Sequence, residues 1–410
     1  MIEPSPRARQ TSRYENKRDA ILDAAARVFN DKGLKGATLA EVAAQVGLIT
    51  TSVTYYYRRK EDLAAACLLR STACIEALLA EAETEDRPED RARAFLRLFF
   101  GLRAEIDSGR KPEMMGFADV LALGGRHEEA VRGAYVDMFR RVRRLLRPKS
   151  GSPFPRLAEN ARTHLFLALS LWAPGRLDRY ETEDYVLAAD RMADILLNGL
   201  AAKGSAWTPR TLPNLEPDLL DPAEVSKEAF LRAATELIND HGYPGASVDK
   251  ISAKLNVTKG SFYHHNDNKD DLVVDCFERS FDAIRRTQKA AMTPGATGWD
   301  QVTSAADALV RRQFGPHGPL LHAIALSAVP ATLRERLRAT LNRLAERFAV
   351  MIVEGVADDT IRPVDPSIAA QLVGAMINGA ADLRRWAVGA DETLASERYA
   401  RPLFTGLLNP

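Results

Sequence analysis

Residues 18–63 and 227–272 are two versions of one segment, aligned at a constant offset of 209 without a gap. Fourteen of the 46 paired positions are identical, among them Asn30 and Asn239, Gly33 and Gly242, Gly36 and Gly245, Ser52 and Ser261, and Lys60 and Lys269. A unit this long is a folded domain, because solenoid repeats are much shorter. The chain must therefore build one head twice. Its 410 residues agree, being too many for one ordinary core and suited to two domains of about 200 residues each.

Apolar residues recur at helical spacing almost everywhere, and no segment alternates as a strand does. In the first copy Ile21, Leu22, Ala25, Val28 and Phe29 share a face up to Gly33, a helix stop. Thr38 and Glu41 form a capping box before a helix to about Val46. Gly47 supplies a turn, a short helix covers 50–57, and Lys60-Glu61-Asp62-Leu63 opens a longer one. The second copy has its stop at Gly242, its cap at Ser247, its turn at Asn256-Val257 and its restart near Lys269. Asparagine tolerates the left-handed turn conformation better than most residues, so Asn256 can stand in for Gly47. Beyond the heads, amphipathic patterns predict helices near 89–107, 113–147, 155–172 and 183–201, and near 298–314, 317–355, 365–388 and 392–408. Trp172-Ala173-Pro174-Gly175 is matched by Trp386-Ala387-Val388-Gly389, so the whole domain was duplicated.

This gives an all-α fold of two tandem helical domains. A basic arm (1–17) precedes the first head (18–63) and a first helical regulatory region (64–202). A linker with four prolines (203–222) leads to the second head (223–272) and the second regulatory region (273–410).

At 46% apolar and 27% charged residues the composition is that of a globular protein. No stretch reaches 18 uninterrupted apolar residues, and the first 17 residues lack the apolar core of a secretory signal, so a cytoplasmic, non-membrane chain is expected. Three cysteines argue for reduced thiols. Cys67 and Cys276 are repeat partners suited to one small apolar core position. No metal-ligand spacing, nucleophile elbow or phosphate loop appears, so neither enzymatic chemistry nor a cofactor is expected.

The net charge of +1 conceals a regional bias. Residues 18–60 hold seven basic against four acidic side chains, and the arm adds Arg7, Arg9, Arg13 and Lys17 against Glu3 and Glu15. The equivalent window 227–269 holds six against five, so attraction to phosphate should be stronger at the first head.

A short helix, a tight turn and a second short helix form a helix-turn-helix, whose second helix enters the major groove of DNA. With Ile21-Leu22-Asp23-Ala24-Ala25, Phe29, Gly33, Thr38, Val42-Ala43, Gly47, Tyr55-Tyr56-Tyr57 and Lys60-Glu61-Asp62-Leu63, the first copy resembles the head of the TetR family of transcriptional regulators. The second resembles it through Phe230-Leu231, Ala233-Ala234, Gly242, Ser247, Ile251, Val257 to His265 and Lys269 to Leu272. The resemblance implies a sequence-specific regulator of double-stranded DNA, probed by Thr38 and Ser247 at helix starts and by Thr50, Thr51, Ser52, Thr54, Tyr55 and Tyr56 in the groove. In the second head those roles fall to Thr258, Lys259, Gly260, Ser261, Tyr263, His264 and His265, with Lys60 and Lys269 as phosphate clamps. The copies differ from the family pattern and from each other: Thr54 stands where the second head has Tyr263, and Asn266 and Asp267 stand where the first has Tyr57 and Arg58. Tyr57 is expected in the head's core, and the second head is expected to bind more weakly.

The resemblance also implies a repressor released by a small apolar or aromatic inducer. Candidate pocket residues are Phe99, Met115, Phe117, Met138, Phe139, Phe166 and Trp172 in the first half, and Phe314, His322, Phe348, Met351, Met376 and Trp386 in the second. The last helices of each domain should form a four-helix bundle. A linker of about 19 residues, reaching about 60 Å when extended, permits the two halves to pair as an intrachain pseudo-dimer. A homodimer of chains with four heads is the rival arrangement, and a scaffold protein whose heads have lost DNA affinity is the rival function.

Overall fold

The structure is a computed structural model that describes residues 6–117, 123, 126–213, 215–216, 222–257 and 269–409. All its extended regular elements are helices. In the first half they are α1 (Pro6–Gly36), α2 (Leu39–Gln45), α3 (Thr50–Tyr56), α4 (Lys60–Ala82), α5 (Pro88–Asp107), α6 (Arg126–Leu145), α7 (Arg156–Trp172) and α8 (Tyr185–Asn198). In the second they are α9 (Pro222–Gly245), α10 (Val248–Leu255), α11 (Lys269–Ala291), α12 (Gly298–Arg312), α13 (Ala331–Ala357), α14 (Pro366–Gly379), α15 (Leu383–Trp386), α16 (Glu392–Leu394) and α17 (Arg401–Thr405). The basic arm is not separate from the head, since α1 already begins at Pro6.

The chain divides into two compact units, residues 1–77 with 105–138, and 78–104 with 139–410. In the first unit, α1, α2 and α3 close over Ile21, Leu22, Val28, Phe29, Val42, Val53, Leu63 and Leu68, joined by Met115 and Val131. Helix α4 has the length and hydropathy of a membrane span, yet its Leu63, Cys67 and Leu68 are buried in this core. The helix predicted from 113 starts only at Arg126, because the head binds the preceding backbone. Asn30 donates to Met114 O at 2.8 Å and accepts from Gly116 N at 2.9 Å, and Arg70 donates to Leu22 O and Glu113 O.

The second unit repeats this device at equivalent residues. Asn239 donates to Leu320 O at 2.8 Å and accepts from His322 N at 2.9 Å, while Arg279 donates to Pro319 O and His317 O. The helix predicted from 317 is accordingly displaced: a 3₁₀ turn covers Ala323–Ala328 and α13 begins at Ala331. The pattern over 392–408 resolves into α16, a wide π turn over Ala395–Ala400 and α17. Pro402 has no N–H to donate to Arg398, which loosens the turn there.

Also within the second unit, helices from the two halves of the sequence pack on one another. α14 lies against α7 and α8, α15 against α7, and α17 against α8. His164 Nε2 is 2.8 Å from Gly379 O, Asn160 donates to Trp386 O, and Arg162 donates to Leu407 O and Asn409 O. Leu407 N reaches Leu196 O at 2.7 Å, and Leu200 N reaches Phe404 O at 2.8 Å. Gly199 makes that approach possible: its φ is +72°, and a Cβ there would lie 2.4 Å from Phe404 O. The first part of the linker is fastened to the same unit, with Ser205 donating to Thr360 O and Arg210 N to Ser304 Oγ.

Candidate nucleic-acid interface

In the first head the break at Gly33 (φ 65°, ψ 170°) ends the long helix, and Gly47 at φ +64° turns the chain between α2 and α3. The capping box is complete. Thr38 Oγ1 accepts from Glu41 N, and Glu41 Oε2 accepts from Thr38 N at 2.9 Å. Lys32 Nζ, 2.6 Å from Glu41 Oε1, ties α1 to α2 and holds that carboxyl below its usual range together with the Thr38 bonds. Thr38 thus binds Glu41 through both hydroxyl and N–H.

Helix α3 presents Thr50 and Thr51 exposed and Ser52 half-buried, with Val53 as its inward anchor. Ile49, just before it, is 71% exposed and Tyr55 is 76% exposed. Sequence reasoning had not singled out Ile49, although an apolar residue between a turn and a run of threonines is a readable signal. Thr54 Oγ1 donates to Thr51 O, so its hydroxyl proton is held inside the helix. Tyr56 packs partly on the head's core with its ring 4.7 Å from that of Tyr14, and Tyr55 meets both rings edge-on. Tyr57 packs against the core, where burial pushes its hydroxyl pKa up. Lys60 Nζ lies 3.4 Å from Ala37 O, beside the start of α2.

The second head has the same break at Gly242 (φ 66°, ψ 170°) and the cap of Ser247 on Lys250 N. Asn256 occupies the left-handed region at φ 56°, the place of Gly47. Lys250 stands where the first head has Glu41, so the reciprocal half of the capping box is lost, and Lys254 with Glu236 at 2.5 Å ties α9 to α10 instead. Thr258, Lys259, Gly260, Ser261, Tyr263, His264 and His265 lie outside the described residues, as does the side chain of Lys269.

A family model described as "Bacterial regulatory proteins, tetR family" matches residues 21–67 and again residues 230–276, the two heads just described. Both heads are heads of the TetR family. The Transposon Tn10 TetC protein of Escherichia coli is 35% identical over 79 residues, 19% of this chain and 39% of that protein. The biofilm operon negative transcriptional regulator IcaR of Staphylococcus epidermidis is 34% identical over 64 residues, 15% and 35% of the two chains. The chain thus spans well under half the length of either relative. The transcriptional repressor DhaR of a Mycobacterium species is 23% identical over 157 residues, 38% of this chain and 79% of DhaR. The crystal structure of apo AibR, 19% identical, covers 44% of this chain and 99% of its own at a TM-score of 0.37.

Beyond its heads, the chain has a cleft in the second unit of about 790 Å³, part of it open to solvent. Three of the predicted pocket residues, Trp172, His322 and Phe348, line it. The others are placed elsewhere. Met351 and Met376 are fully buried in the core, and Phe314 lies under the Arg384 guanidinium at 4.7 Å. Trp386 and Phe139 stack on each other at 4.3 Å, while Phe99 and Phe166 flank Phe95. Met115 and Phe117 pack in the first head, and Met138 is fully buried. The cleft is completed by residues the sequence reading passed over, notably Phe277, Phe281, Gln371, Gly374 and Asn378.

His322 connects this cleft to its surroundings. Its Nδ1 accepts from Ile324 N, and its Nε2 is 3.3 Å from Asp382 Oδ2 and 3.2 Å from Asn378 Nδ2. Burial alone would raise the Asp382 carboxyl, but the hydrogen bond and charge of His322, with Arg385, bring its pKa down to about 2. Arg385 in turn binds Asp382 at 3.0 Å and donates to Asn239 O at 2.8 Å.

Proposed function

We propose that this chain is a transcriptional repressor that binds DNA with two unlike heads, held by pairing between its own halves and released by a small apolar molecule. The observation that carries this reading is the bonding of α7 and α8 to α14, α15 and α17, which in sequence are the closing helices of the two duplicated domains. That pairing supports an intrachain pseudo-dimer, whose DNA site would carry half-sites about one DNA turn, about 34–36 Å, apart. The repressor direction draws on IcaR and DhaR, named as a negative regulator and a repressor.

Release is supported by a continuous polar path in the second half. His322 lines the cleft, its backbone N–H is bound by Asn239 of α9, and Asn239 O is held by Arg385, which also binds Asp382. A ligand that displaces His322 therefore works directly on the first helix of the second head, the differential contact that allosteric release requires.

Two unlike heads read two unlike half-sites. Hydroxyl-radical footprinting of the purified chain on its upstream region is expected to show an asymmetric protected site, and a perfect palindrome with equivalent halves would defeat the reading. Lys60→Ala is expected to weaken binding equally on all sequences and reduce the salt slope by about 1. Absence of any salt-dependent DNA binding would favour a scaffold or small-molecule carrier instead.

A further inference from the structure

The duplication lets the two halves be compared around the cleft. The 209-residue offset that relates the heads also pairs Phe348 with Phe139, and the shared Trp-turn pairs Trp172 with Trp386. In the second half Phe348 and Trp172 line a space of about 790 Å³. In the first, Phe139 and Trp386 lie face to face, ring centroids 4.3 Å apart and planes 14° from parallel, with Phe139 only 4% exposed. The polar side differs too. The asparagine clamp that holds His322 N in the second half holds Gly116 N in the first, so a hydrogen stands there in place of the imidazole. The position of Asn378 is taken by His164, whose ring binds Gly379 O.

The lining of the cleft restricts what enters. No lysine, arginine, aspartate or glutamate lines it among the described residues. The one titratable side chain in the lining, His322, has the Asp382 carboxylate 3.3 Å from its Nε2, so no unpaired cation is offered there. An anion placed in the cleft would be desolvated with no cation to meet it, which is costly. Most of the polar lining is already satisfied: Ser280 accepts from Leu321 N, and Gln313 donates to Ile377 O and accepts from Leu320 N. Among the described residues the Gln371 amide has no hydrogen-bond partner, and Asn378 Nδ2 retains an N–H beyond the one turned to His322.

We infer that each chain takes a single effector, in the second-half cleft, and that this effector is an uncharged, largely apolar molecule with one polar group meeting Gln371 and Asn378. The inference rests on the ligand-responsive reading above and adds its stoichiometry and chemistry.

The test uses two dyes with one ring skeleton, neutral N-phenyl-1-naphthylamine and its sulfonate, 8-anilino-1-naphthalenesulfonate, titrated by fluorescence into the full chain without DNA. The neutral dye is expected to saturate at one equivalent, and the sulfonate to bind at least about tenfold more weakly because its charge is unpaired. Gly374→Phe closes the cleft without displacing backbone, since a Cβ there meets no atom within 4 Å. It is expected to abolish dye binding while thermal midpoint and circular dichroism are kept, and Ala345→Phe, from the α13 wall, to do the same. Two equivalents, equal or tighter sulfonate binding, undiminished binding in both variants, or no binding of the neutral dye would each overturn the inference. Adding the neutral dye to the DNA complex separates the two ideas: stoichiometric binding without release of DNA leaves the site intact and removes the regulatory reading.

Discussion

Glu41 ties two elements together: it closes the capping box of α2 with Thr38 and receives Lys32 from α1 at 2.6 Å. Thr38→Ala removes the hydroxyl that caps α2 and is expected to destabilise the first head by about 1 kcal/mol, measured by denaturant unfolding. A change below a few tenths would show that the cap contributes nothing there. The thiols provide a second test at this scale. Cys67 and Cys276 each donate to a backbone carbonyl, Leu22 O and Leu231 O, at 3.5 Å, and burial pushes both thiols from an ordinary 9.0 up to about 12. The fold favours the neutral thiol, so the stability this contributes is complete below pH 9 and is lost as pH rises toward 12. Cys74 is only half-buried. In the native protein at pH 8, an aromatic disulfide reagent is therefore expected to label Cys74 first and to reach the other two only on unfolding.

At the scale of elements, the heads were readable because local chemistry specifies them. The break at Gly33, the cap at Thr38 and the turn at Gly47 are each set by a few neighbouring residues, and Asn256 adopts the left-handed turn that its substitution for glycine predicted. The starts of α6 and α13 were not readable, because they depend on Asn30 and Asn239 binding backbone more than 80 residues away. The pocket was readable only in part for a similar reason. Met351, Met376 and Phe166 have the same apolar character as Phe348, and only packing decides which of them faces a cleft. Gln371 and Gly374, a polar and a vacant position within the apolar α14, were the overlooked signal. Trp386 illustrates the energetic side. Its ring stacks on Phe139 and its carbonyl accepts from Asn160, so Trp386→Ala is expected to cost about 3–5 kcal/mol in thermal or denaturant unfolding. A loss under about 1 kcal/mol would mean that the stack is loosely packed.

For the whole molecule, duplication within one chain changes what regulation can do. Two separate chains must carry identical heads, whereas these have diverged: Lys250 has replaced the capping glutamate, Asn256 the turn glycine, and Asn266 and Asp267 the Tyr57-Arg58 pair. The closing helices bond to each other from His164 and Asn160 at one end to Leu196 and Leu200 at the other, leaving one polypeptide with the paired helices that a dimer would supply from two. The central claim is that one chain forms the complete DNA-binding unit. Sedimentation equilibrium of the purified protein bound to a duplex carrying its footprinted site tests this most directly. The account predicts one 45.2 kDa chain per duplex across the concentration range, and a complex holding two chains on one site would contradict it.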